Sequence, residues 1–139
     1  MPMNLSRIAL GTLAYTIVTF PIAVIWHVVL FKANYTAFGY FTGEPSFLLG
    51  FLTIIIQGTI LSALFPLVKL SGSPIVRGLK FSAIVGAFFW TSHVLAFVAK
   101  QAMQDAPLFV AMETGYLAVQ FGVFGVLIGL AYKGLPREA

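Results

Sequence analysis

Residues 108–132 read LFVAMETGYLAVQFGVFGVLIGLAY, a run with one charge, Glu113, and long enough to cross a hydrocarbon core that needs roughly 20 apolar residues. Gly115, Gly122 and Gly129 recur every seventh residue, and Gly125 stands four before Gly129. One stripe of this helix is therefore nearly bare, which predicts close packing of backbones along Gly115, Gly122, Gly125 and Gly129. Glu113, Tyr116 and Gln120 fall at i, i+3 and i+7, a single polar face on a 3.6-residue helix. That face has to meet protein or water, so the remainder of the chain is expected to shelter it.

Composition agrees with a membrane setting. Of 139 residues 60 % are hydrophobic and only 9 % charged, and mean hydropathy is +0.99, whereas a soluble domain needs far more charge at its surface. The chain reads as one all-α transmembrane domain, a four-helix bundle with spans at about 8–31, 46–68, 81–99 and 108–132. A signal peptide is not expected at the N-terminus, because the run 8–31 has full span length and no small-x-small cleavage site. Pro21 inside the first span should kink it. Residues 32–44 (KANYTAFGYFTGE) are rich in aromatics, Tyr35 and Tyr40 among them, and are expected along the headgroup belt. Pro45 is placed in the first turn of span two, and the basic turn at 69–80 (KLSGSPIVRGLK) separates the two halves.

The eight Lys and Arg lie singly beside span ends rather than in a patch, which excludes a nucleic-acid surface and suits the positive-inside rule. Arg7, Lys69, Arg77, Lys80, Lys133 and Arg137 fall on one side, Lys32 and Lys100 on the other. Both termini are thus expected in the cytoplasm, with the chain in the cell (inner) membrane. With no cysteine, disulfides, thiol nucleophiles and thiolate metal sites are excluded. The halves 1–70 and 75–139 echo one another, HVVLF at His27 against HVLAF at His93 and Gln57 against Gln120, as two parallel αα-hairpin repeats would.

Depth along the helices groups the polar residues. At 1.5 Å per residue, His27, His93 and Glu113 all lie about 7–11 Å inside the outer face, and Gln57 and Gln120 about 18–20 Å down, near the midplane. Three ionisable groups at one depth on three spans point to a ligand or proton site of His27, His93, Glu113, Tyr116, Gln57 and Gln120. Two imidazoles and a carboxylate also match the ligand set of a divalent metal, and His27 with His93 could serve as the axial pair of a b-type haem. Against these stand plainer readings: interhelical hydrogen bonds, a snorkelling glutamate, and Trp26 and Trp90 as core or belt aromatics. No phosphate loop, nucleophile elbow or HExxH motif occurs, so an enzyme is not the first expectation.

Arg7 to Thr12 (RIALGT), the basic central turn, Trp90-Thr91-Ser92-His93 closing the third span, and the glycine-rich last span together resemble small bacterial four-span membrane families of unknown function. The likeness covers the whole chain and carries over no catalytic residue; such families tend to have an acid where this chain has His93. The reading is a non-catalytic bundle, either an accessory subunit or a small transport or ligand-binding protein without a cofactor. Its partners are the lipid bilayer and a homo-oligomer or larger membrane complex. The alternative is a haem or metal redox protein.

Overall fold

The computed structural model describes residues 4–41 and 43–134; Arg137 of the charge count lies outside them. Among the described residues the chain is an all-α bundle with four helices long and apolar enough to cross a membrane, Leu5–Leu30, Phe47–Leu67, Pro74–Lys100 and Ala106–Ala131. Its outer surface is studded with exposed Leu, Ile and Phe, as lipid contact allows.

Helix α1 (Leu5–Ala23) starts at Asn4, whose side chain accepts from the Arg7 amide. It continues as a π-helical segment, Val24–Leu30, ending where the Phe31 N–H reaches the Trp26 carbonyl. Pro21 lies just ahead of the change; lacking an N–H it interrupts the i→i−4 ladder there, and the ladder resumes with wider turns. Helix α2 (Lys32–Ala37) follows, and Gly39, at φ 75°, turns the chain back. Helix α2 folds onto the bundle and buries Tyr35 and Phe38. Their rings gain apolar contacts against Phe109 that interfacial water would not offer.

Helix α3 (Phe47–Leu64) is capped by Ser46, whose Oγ accepts from the Leu49 amide, so Pro45 precedes the helix rather than opening it. A 3₁₀ turn, Phe65–Leu67, ends span two. Helix α4 (Pro74–Trp90) begins seven residues earlier than hydropathy implied. Ser73 caps it and Pro74 suits its first turn, so the basic segment with Arg77 and Lys80 is helical. Span three then passes through a second π-helical segment, Thr91–Leu95, into α5 (Ala96–Lys100). No proline acts here. The hydroxyls of Thr91 and Ser92 bond back to the Phe88 and Phe89 carbonyls and compete with the ladder. The two histidines singled out in HVVLF and HVLAF thus share a local feature, a π-helical turn around each.

Helix α6 (Ala106–Ala131) is the centre of the bundle: half of its most apolar window is buried, against 17–22 % in the other spans. It packs on α4 and on α1, and α1 packs on α3. The α4/α6 contact is the tightest, because a Cβ on Gly78 would collide with the Gly125 carbonyl and one on Gly129 with the Pro74 carbonyl. The glycine stripe is therefore only partly a packing stripe. A Cβ on Gly115 would merely reach the Trp26 ring at 3.7 Å, and one on Gly122 would meet nothing within 4 Å. Gly122 borders an apolar groove of about 380 Å³ between α4 and α6, below the level where Trp90 donates to Thr114 Oγ1.

At the end of the bundle carrying the termini, Arg7 donates to the Ala131 carbonyl and Tyr132 donates to the Ser62 carbonyl at 2.6 Å. Spans one, two and four are tied together there. A twofold relating the hairpins would map the close contact of spans one and four onto one of spans two and three. Those two spans instead face each other across a cleft, so the halves do not pack symmetrically.

Replacing Gly129 or Gly78 by Leu should cost about 1–3 kcal/mol or prevent assembly of the bundle, whereas Gly122→Leu should leave the thermal midpoint of the detergent-solubilised protein close to wild type. Equal loss in all three variants would show that α4 and α6 do not approach as described.

Candidate functional site

The two π-helical turns and the polar face of α6 bring His27, His93 and Glu113 together near the end of the bundle that carries α2. One ligating atom from each lies within 4.8 Å of the others. Glu113 is fully buried, His27 nearly so, and the His93 side chain is 38 % exposed. His27 Nε2 stands 2.8 Å from Glu113 Oε1, and His93 Nε2 stands 3.0 Å from Oε2. The second contact has the distance of an ion pair but not the alignment of a hydrogen bond; both of its atoms are buried and neither completes a hydrogen bond.

The protons of His27 can be assigned. Its Nδ1 lies 2.9 Å from the Ala23 carbonyl oxygen, which only accepts, so Nδ1 carries hydrogen and donates. Nε2 then faces a carboxylate oxygen, and two lone pairs at 2.8 Å would repel. A proton or a cation must lie between them.

Tyr35 completes the cluster. Its hydroxyl donates to Glu113 Oε1 at 2.5 Å and accepts from the Trp26 indole N–H at 3.0 Å. Burial, and behind it the hydrogen bond to Glu113, pushes the Tyr35 phenol well above its usual range, so it remains a donor. Tyr40 stacks on the His27 ring at 5.6 Å, and Tyr35 and Tyr116 approach that ring to 4.5 Å.

The glutamines are joined through a residue that sequence reasoning passed over. Gln120 Nε2 donates to the Tyr15 hydroxyl at 3.1 Å, which donates to Gln57 Oε1 at 3.2 Å. Tyr15 is fully buried, and a phenol twelve residues below His27 in an apolar span was the available signal. Tyr35 gave none: in a loop, its folding back onto Glu113 is a tertiary event.

Between spans two and three a cleft of about 430 Å³ runs from Ser46, Gly50 and Thr53 down to Gln57 and Gln120. His93 and Tyr116 form its wall beside the charged cluster, and Thr19, whose buried hydroxyl has no hydrogen-bond partner, lies beside Tyr15 on its lining. All six expected site residues therefore fall into one connected region, with His93 between the cluster and the cleft.

A b-type haem between the two histidines does not fit. The Glu113 carboxylate touches both Nε2 atoms, and the Tyr116 ring lies 4.5 and 6.5 Å from the two imidazoles, so side chains of α6 occupy the place of a macrocycle. A single ion is compatible with the three donors. Comparison of the chain with family models, with curated proteins and with solved structures gives no match.

Tyr35→Phe keeps the ring and deletes the donor to a buried carboxylate. It should lower the stability of the purified protein by about 1.5–3 kcal/mol, read as a drop in thermal midpoint; an unchanged midpoint would show that the bond does not hold Glu113.

Proposed function

We propose that this protein binds a small hydrogen-bonding solute within the outer half of the cell membrane, as a ligand-binding or transport bundle rather than as an enzyme. The observation that carries the reading is the cleft between spans two and three, which leads past His93 to the Tyr15-linked glutamines. Its lining offers amide donors and acceptors, groups that would be costly if they faced acyl chains. A molecule carrying both donors and acceptors suits them. The excess of basic residues at the opposite end supports placing the cleft mouth outside and both termini in the cytoplasm. For association with a second copy or a larger complex, the groove beside Gly122 is the surface we nominate.

The absence of cysteine gives a clean background for labelling. Thr53→Cys, on the cleft, should react with a small water-borne thiosulfonate in intact membranes. Leu52→Cys, at the same depth on a surface that is 51 % exposed toward lipid, should not, because the reactive thiolate forms only where water reaches. Equal inertness of both positions would mean that the cleft is dry and the reading wrong.

A further inference from the structure

We propose that His27 Nε2, His93 Nε2 and Glu113 together hold one divalent transition ion of the zinc type inside the membrane, cross-linking spans one, three and four. Two buried atoms here face one another at ion-pair distance without completing a hydrogen bond. His93 Nε2 and Glu113 Oε2 are buried, 3.0 Å apart, and make no hydrogen bond. Leaving such groups unsatisfied in a low-dielectric interior is unfavourable, and proteins seldom do it without a reason. A cation between them satisfies both.

The rest of the cluster is arranged as a metal site would be. Ligating histidines are usually fixed by donating the other ring N–H to a carbonyl or carboxylate, and His27 Nδ1 does so to Ala23. Its Nε2 is left pointing at Glu113. The carboxylate is in turn anchored by the Tyr35 hydroxyl, itself held by the Trp26 indole. Metal bonds of about 2.0–2.1 Å in a tetrahedron put neighbouring donors roughly 3.3 Å apart. The 2.8 and 3.0 Å contacts of His27 and His93 are made to different oxygens of Glu113, and one donor atom from each residue lies within 4.8 Å of the other two, so a single ion would draw the donors together to that spacing. Two imidazoles with one carboxylate favour a borderline ion such as Zn²⁺ over Mg²⁺ or Ca²⁺, which prefer oxygen.

Three protein donors leave a coordination position free, and His93 stands on the cleft wall. The inference rests on the proposed cleft for access of the ion and for the molecule that fills that position, not for the donors themselves.

The purified full chain, stripped with chelator in detergent, should take up one Zn²⁺ per chain and gain thermal stability from Zn²⁺ but not from Mg²⁺. Co²⁺ should show the intense visible bands of a four-coordinate site, a readout that needs no variant. Glu113→Gln and, at the partly exposed ring, His93→Gln should each weaken Zn²⁺ binding by about tenfold or more, and Tyr35→Phe by about tenfold. No Zn²⁺-induced shift together with six-coordinate, nearly colourless Co²⁺ would overturn the site, as would full affinity in a folded His93→Gln protein. Labelling of Thr53→Cys in the presence of chelator tests the cleft separately. A labelled cleft without zinc sinks the ion alone; bound zinc with an unlabelled cleft sinks the proposed function alone.

Discussion

The structure depends on one buried carboxylate. Glu113 is fully shielded from solvent in the central helix of a membrane bundle, where an isolated charge costs about 3 kcal/mol or more. Compensation has to come from several elements at once, because no neighbour on α6 can provide it. Span one contributes His27, span three His93, and the segment after span one folds back to add Tyr35. The tertiary arrangement at this end of the bundle follows from bringing these four side chains to one point.

Reaching that point requires local departures from α-helical geometry. Both histidines sit in π-helical turns, produced by different sequence devices: a proline upstream of His27, and back-bonding hydroxyls at Thr91 and Ser92 before His93. A wider turn shifts the facing of every following residue, so the same histidine on an uninterrupted α-helix would point elsewhere. Such turns concentrate at functional sites in other proteins, and here they coincide with the only two histidines of the chain.

The other end of the bundle is held by close approach. Gly78, Gly125 and Gly129 let α4 and α6 meet backbone to backbone, and Arg7, Ser62 and Tyr132 tie spans one, two and four together. Because spans one and four pack while spans two and three do not, the bundle is closed at the terminal end and split along one side. That split is the cleft, and it leaves His93 and Gln57 partly exposed while Gln120 and Glu113 stay buried. The proposed binding of a small molecule rests on this close packing below and opening above.

Much of this was legible in the residues, and the reason is that the bilayer imposes simple one-dimensional rules. Span number, the central place of residues 108–132, and the common depth of His27, His93 and Glu113 all follow from hydropathy and a fixed rise per residue. What one dimension cannot supply is rotation about each helix axis and the path of a short connector. The heptad of glycines predicted contact at Gly122, yet α4 meets Gly125 and Gly129 backbone to backbone and, higher up, packs its Gly86 on the Phe121 side chain and bonds Trp90 to Thr114 instead. Tyr35 looked like a belt aromatic until α2 turned it inward, and Tyr15 bridges glutamines that spacing alone had set side by side. Sequence determined which groups share a level of the membrane; tertiary structure decided which of them face one another, since facing depends on helix rotation, π-helical turns and long-range packing.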